Sequence, residues 1–106
     1  MQEPVRVSPQ EARQKVTAGS ALLVCAYGSK EKFKKNHLQG AISYREFKSR
    51  LESLPKDQEI IFYCAWLHEA SAVGQAEKYL KQGYTNVKVL DRGVEGWKEA
   101  GYPLEE

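Results

Sequence analysis

Three short, mainly apolar runs stand out from a largely polar chain and predict buried strands. They cover residues 21–26, 60–64 and 87–90, and the second is β-branched or aromatic at almost every position. Runs of this length are too short for helices and suit strands covered on both faces, which are typical of a parallel sheet. Residues 40–43 form a fourth, shorter strand candidate.

Helical patterns alternate with these strands. The clearest helix start is the capping box of Ser8 and Glu11, which has a proline at the first helical position. Glycine or proline follows most of the predicted helices, which span residues 9–18, 30–36, 45–54, 70–82 and 94–100. Strands that alternate with helices over short connections indicate an α/β fold with a mostly parallel sheet.

Both cysteines of the chain stand at predicted strand ends. Cys25 ends the first strand and Cys64 ends the central one. Ligands of open α/β sheets bind beyond the carboxyl ends of the strands, so we expect both thiols at the functional edge. The helix after Cys64 directs its positive end at this edge, which predicts a lowered thiol pKa and a cradle for an anion on the sulfur. The alternative from the pattern alone is a small apolar residue ending a buried strand.

Composition narrows the classes of function. The 106 residues are 42% apolar, which predicts one folded domain over residues 1–106. Sixteen basic against fourteen acidic residues give a net charge of +2, which argues against nucleic-acid or membrane partners. We expect a cytoplasmic protein with reduced thiols, since neither a secretory signal nor a membrane-spanning run is visible. Two His and two Cys at long separations predict no metal site, and no cofactor is expected.

Three segments together resemble one known family. His37-Leu38-Gln39-Gly40-Ala41-Ile42 is similar to the G-H-I-P-G-A-I segment of rhodanese-like (rhodanese-homology) proteins. Residues 60–64 resemble the strand that enters that family's active-site loop, and residues 90–103 resemble its C-terminal G-G-(I/V)-x-x-W-x-x-x-G-Y-P signature. The resemblance spans nearly the whole chain. It implies a central, mostly parallel five-stranded sheet with helices on both faces.

The resemblance also implies a sulfurtransferase. Cys64 matches the nucleophile that takes sulfane sulfur from a donor and becomes a persulfide. The donor is a small sulfur-containing anion such as thiosulfate, or a persulfide, and the acceptor is a thiol, including a thiol on a protein. The positions that match the loop lining the anion pocket are Ala65, Trp66, Leu67, His68, Glu69 and Ala70.

This loop departs from the common family pattern. Ala65 stands where sulfurtransferases usually carry an arginine, and no Lys or Arg occurs between Cys64 and Ser71. Because arginine is the bidentate anion binder, its loss weakens the case for thiosulfate and favours a persulfide donor. Phosphatases and arsenate reductases on this fold use C-x5-R, and Ala70 takes the place of that arginine. The remaining alternative is a catalytically weak module that binds a protein through Trp66 at the loop tip.

Two residues outside the loop are candidate accessories. Cys25 occupies the place where the family usually carries an aspartate. One hypothesis makes it a resolving thiol or second sulfur carrier for Cys64, and the other makes it a packing residue. Arg92 stands where the family usually has a glycine, in the turn after the third predicted strand. We expect it to supply positive potential in place of the missing loop arginine.

Overall fold

The computed structural model describes residues 4–26, 30–35, 37–64 and 69–104. Strands and helices alternate along it, and a short 3₁₀ turn follows the third helix. The elements are β1 (Val5–Val7), α1 (Pro9–Thr17), β2 (Ala21–Cys25), α2 (Lys30–Lys35), β3 (Ala41–Ile42), α3 (Tyr44–Arg50), the 3₁₀ turn (Leu51–Ser53), β4 (Glu59–Tyr63), α4 (Glu69–Lys81), β5 (Val87–Leu90) and α5 (Gly93–Glu99).

The five strands form one parallel sheet in the order β1-β5-β4-β2-β3. Every residue of the central strand β4 is buried. Side chains alternate between the two faces of a strand, so both faces of β4 must be covered. The predicted α/β class and the five-stranded sheet implied by the family resemblance are confirmed.

Most predicted strands and helices occur within one residue of their expected bounds. The first helix begins as the capping box predicts, since the Ser8 hydroxyl oxygen accepts a hydrogen bond from the Glu11 backbone N–H at 3.1 Å. The helix ends at Thr17, and Gly19 follows with a φ of 78°. A positive φ suits glycine, which explains why the helix stops here. The last residue of the predicted helix over 30–36 lies outside the described residues.

Two predictions need correction around the third helix. Residues 45–54 are not one α-helix, because α3 ends at Arg50 and a 3₁₀ turn follows. Ser43 does not belong to the preceding strand. Its hydroxyl oxygen accepts the backbone N–H of Glu46 at 3.0 Å, so Ser43 is the N-cap of α3.

The sequence pattern does not predict β1. This strand has only three residues, and Val5 and Arg6 are exposed. It lies at the edge of the sheet, where one neighbour, β5, supplies all its pairing. A strand this short and this exposed has too few buried positions to leave a hydrophobic signal in the sequence.

The core on one side of the sheet is an aromatic cluster of Phe47, Phe62 and Tyr79. The Phe47 ring meets Phe62 edge-on at 5.4 Å and Tyr79 edge-on at 5.3 Å, measured between ring centroids. Edge-to-face pairs at these separations add stabilisation beyond the burial of their area. They fix α3 and α4 against β4 and thereby fix the point from which α4 begins.

Candidate active site

The two cysteines lie at neighbouring carboxyl ends of parallel strands. In the ladder between β2 and β4, Cys25 is opposite Tyr63, the residue directly before Cys64. The backbone N–H of Ala26 donates to the Tyr63 carbonyl at 2.9 Å, so pairing continues to the end of both strands. The expected placement of both thiols at one edge of the sheet is confirmed.

Two helices hold Cys64 in place. Its sulfur accepts hydrogen bonds from the backbone N–H groups of Ala72 and Ser71, near the beginning of α4. Its backbone carbonyl accepts the N–H of Val94, at the beginning of α5, at 3.1 Å. The side chain and the backbone of this residue are therefore each bound by amides at the start of a helix.

Burial raises the pKa of the Cys64 thiol. The residue is only 1% exposed, and the loss of solvation, which disfavours the thiolate, is the largest single influence on its pKa. The N–H groups of Ala72 and Ser71 lower the pKa, whereas charge interaction with Cys25 raises it. The net direction is upward, so the expectation of a lowered pKa is wrong. The sequence showed the helix start but not the depth to which the sulfur is buried.

The predicted loop lining is described only at its end. Ala65, Trp66, Leu67 and His68 lie outside the described residues, so their roles stay predictions. Glu69 and Ala70 begin α4, one residue earlier than predicted, and only their backbone is described.

The amide donors to the Cys64 sulfur come from the next two residues, Ser71 and Ala72, rather than from the positions singled out in the sequence. The strand–Cys–loop–helix pattern points to α4 as a whole. It does not say which of the first amides reaches the sulfur.

Cys25 is completely buried at the end of β2. It belongs to the main hydrophobic core, and it forms no disulfide with Cys64 in this structure. The packing role proposed from the sequence agrees with this burial. Its position beside the strand that carries Cys64 also agrees with the resolving-thiol hypothesis.

Arg92 binds an acidic residue of α5, the helix that it precedes. The residue has left-handed backbone geometry with a φ of 61°, which fits a position where the family usually has glycine. Its guanidinium forms two contacts with the Glu99 carboxylate, at 2.6 and 2.7 Å. Glu99 lies seven residues further along, about 10 Å at the α-helical rise. The pair offsets the charge of Arg92 and directs its guanidinium toward the last residue of α5, whereas Cys64 binds the N–H of Val94 at the start of that helix.

His37 ties the turn before β3. Its Nε2 forms a hydrogen bond of 3.0 Å with the Ala41 carbonyl, and its ring lies 4.3 Å from that of Phe33.

Within the described ranges, no three His, Cys, Asp or Glu side chains are grouped to hold a metal ion. No helix in the same part of the chain has the length and apolar character to cross a bilayer.

Comparison with known families agrees with this geometry. A family model for the rhodanese-like domain matches residues 8–100. The chain belongs to the rhodanese-like domain family. This rhodanese-like domain is 31% identical over 104 residues to thiosulfate sulfurtransferase GlpE of Actinobacillus succinogenes, a match that covers 93% of this chain and 88% of that protein. The resemblance drawn from the three sequence segments is confirmed.

Solved structures share the fold of this rhodanese-like domain. The Alr3790 protein of Anabaena sp. superposes with a TM-score of 0.78 at 19% identity, over 93% of this chain and 90% of that one. A thiosulfate sulfurtransferase of Pseudomonas aeruginosa also gives 0.78, at 24% identity. That match covers 94% of this chain and 19% of the longer protein. At these identities the likeness establishes the fold alone.

Proposed function

We propose that this rhodanese-like domain is a sulfurtransferase that carries sulfane sulfur as a persulfide on Cys64. The observation that carries the proposal is the position of the Cys64 sulfur, which accepts two backbone N–H groups near the start of α4. Amides aimed at a sulfur stabilise negative charge on it, which both the thiolate and a bound persulfide require. The relative named as a thiosulfate sulfurtransferase supports the same class of reaction.

The reaction has two displacement steps. The Cys64 thiolate attacks the outer sulfur of the donor, a new S–S bond forms on Cys64, and the donor's S–S bond breaks. The electron pair of that bond leaves with sulfite when the donor is thiosulfate, or with a thiolate when the donor is a persulfide. An acceptor thiolate then attacks the outer sulfur of the Cys64 persulfide and releases the Cys64 thiolate.

A persulfide donor suits this chain better than thiosulfate does. The loop sequence from Ala65 to Ala70 has no fixed cation, and the Arg92 guanidinium is paired with Glu99. Backbone amides then provide the binding of an anionic donor, without the bidentate contact of an arginine. The chemistry needs a reduced Cys64, so we expect the domain to act in a reducing compartment such as the cytoplasm.

One observation favours a second candidate function, a catalytically weak rhodanese-homology module that binds a partner. Cys64 is 1% exposed and its pKa is raised, so little thiolate is present at neutral pH. A buried, protonated thiol is a poor nucleophile. In that case the loop face would serve for contact with a protein rather than for transfer of sulfur.

The discriminating experiment compares the wild type with Cys64→Ser. Each protein is incubated with thiosulfate and, separately, with cysteine persulfide, and its intact mass is measured without reductant. We expect the wild type to gain one sulfur atom from the persulfide at the earliest time points, and Cys64→Ser to gain none at any time. Transfer to cyanide is measured in parallel. Activity that survives in Cys64→Ser would exclude Cys64 as the nucleophile. A wild type that shows neither an added sulfur atom nor oxidation of Cys64 at any time would favour the binding module.

A further inference from the structure

Transfer of sulfur at Cys64 leaves a second buried thiol, Cys25, without a role. Cys25 is the last residue of β2 and is completely buried. The ladder to β4 pairs it with Tyr63, whose chain neighbour is Cys64. The hydrogen bond from the Ala26 N–H to the Tyr63 carbonyl, at 2.9 Å, holds the two strand ends together at this point.

The register brings the Cα atoms of the two cysteines to a separation that disulfides span. Adjacent strands lie about 4.8 Å apart and each residue rises about 3.3 Å, so the two Cα atoms are separated by about 6 Å. Disulfides form across Cα separations of about 4.4–6.8 Å. Cys64 lies past the last residue of β4, and its sulfur interacts with backbone amides of α4. The two side chains also interact electrostatically, because Cys25 raises the pKa of Cys64 by charge interaction.

We infer that Cys25 is a resolving thiol, which attacks the Cys64 persulfide and releases its outer sulfur as hydrogen sulfide. The inference rests on the proposed function, since it requires the persulfide. It gives the domain a second outcome: sulfur that no acceptor collects leaves as sulfide, and the domain is left with a Cys25–Cys64 disulfide.

The step balances without an added oxidant. The Cys25 thiolate attacks Sγ of Cys64, and the bond between the two Sγ atoms forms. The bond from Cys64 Sγ to the outer sulfur breaks, and that sulfur leaves with the electron pair as hydrosulfide. With the proton that Cys25 lost, it becomes hydrogen sulfide. The outer sulfur is reduced, Cys25 is oxidised, and a dithiol reductant returns both cysteines to thiols.

The surroundings of the two thiols favour this internal reaction. Cys64 is 1% exposed, so a thiol in solution must displace protein atoms to reach the persulfide. Cys25 lies on the neighbouring strand and needs no diffusion, which gives it a high effective concentration. Hydrosulfide is a good leaving group compared with an ordinary thiolate, since thiols of lower pKa leave faster.

The test is a single turnover with cysteine persulfide as the probe. The wild type is compared with Cys25→Ala, with Cys25→Ser as the variant closest in shape, and with Cys64→Ser for background. Sulfide is followed with an electrode, and the intact mass is read after alkylation without reductant. We expect the wild type to release one sulfide per chain and to lose two hydrogen atoms. Both Cys25 variants keep one added sulfur atom, and their sulfide release falls to the Cys64→Ser background.

A second arm uses diamide, which oxidises neighbouring thiols without any persulfide. A Cys25–Cys64 disulfide in the peptide map of the wild type supports the inference, even if both Cys25 variants fail to fold. A wild type that keeps its added sulfur as the Cys25 variants do, and forms no disulfide with diamide, overturns it while the proposed function stands. If folded Cys25 variants and the wild type gain neither sulfur nor a disulfide from the persulfide, the proposed function itself fails.

Discussion

The strongest stability prediction concerns Glu59. It is the first residue of the central strand β4 and lies at the opposite end of that strand from Cys64. Its side chain is 10% exposed. One carboxylate oxygen, Oε2, accepts hydrogen bonds from the ammonium groups of Lys15 and Lys88, each at 2.9 Å. The Glu59→Gln substitution keeps the side chain's volume and removes its charge. Two ammonium groups then face a neutral amide in a partly buried place, without the carboxylate that offset their charge.

The expected loss follows from these contacts. A hydrogen bond to a charged group contributes about 1.5–3 kcal/mol, and breaking a fully buried ion pair costs about 3–5 kcal/mol. Both lysine side chains reach solvent, at 31% and 21% exposure, which reduces the effect. We therefore expect Glu59→Gln to lower the free energy of unfolding by about 2 kcal/mol. For a domain of this size that shifts Tm by about 10 °C.

The loss should depend on pH in a defined direction. Burial raises the pKa of Glu59, but the ammonium groups of Lys88 and Lys15 lower it, and the net direction is downward. A carboxyl group with a lowered folded pKa stabilises the protein above its unfolded value, about 4.3, and that contribution is lost as the pH falls through the folded pKa. The difference between wild type and Glu59→Gln is thus complete at neutral pH and shrinks in acid.

Urea denaturation followed by circular dichroism measures this difference at neutral and at acid pH. The matched control is Glu46→Gln, which removes a carboxylate whose ion pair with Arg50 lies half exposed on α3. We expect the control to change stability by less than about 0.5 kcal/mol. A loss of stability in Glu59→Gln equal to that of the control at neutral pH, or a loss of the same size in acid, would contradict this role for the Glu59 carboxylate.

Two further predictions follow from single features. Burial raises the pKa of Cys64, so the midpoint of its thiolate absorbance should lie above the ordinary cysteine pKa of about 8.5. The titration is followed in Cys25→Ala, in which only one thiol titrates. A titration complete by neutral pH would contradict this. Gly40 has a φ of 87°, and an added Cβ would lie 2.9 Å from Cγ1 of Val16. Gly40→Ala should therefore lower the free energy of unfolding, measured by urea denaturation, by about 1–3 kcal/mol. The control Gly74→Ala has open space at its Cβ and should not destabilise α4. Equal stability of the two variants would contradict the clash.

Much of the fold is readable from local pattern. The apolar runs that become β2, β4 and β5 differ in period from the helical segments between them, so the strand–helix alternation needs no knowledge of contacts. The caps at Ser8 and Gly19 are likewise local, since they depend on hydrogen bonds and φ values within a few residues. The three-residue β1 depends on β5 for its pairing, and this dependence leaves no local pattern.

The candidate site divides in the same way. Sequence alone places Cys25 and Cys64 at strand ends, and in a parallel sheet the carboxyl ends of the strands share one edge. It also identifies the family, because the three matching segments stand in the family's order and spacing along this chain.

Only the tertiary structure decided the electrostatics. The pKa of Cys64 rises because the sulfur is buried, although α4 begins beside it as the sequence predicts. The guanidinium of Arg92 pairs with Glu99 on α5. Glu59 forms ion pairs with Lys15 of α1 and Lys88 of β5. Charge interactions and solvation depend on distances between residues far apart in the chain and on the water that packing excludes. A pattern along the sequence contains neither quantity, so it pointed to Cys64 as the candidate nucleophile but not to the direction in which the pKa of its thiol shifts.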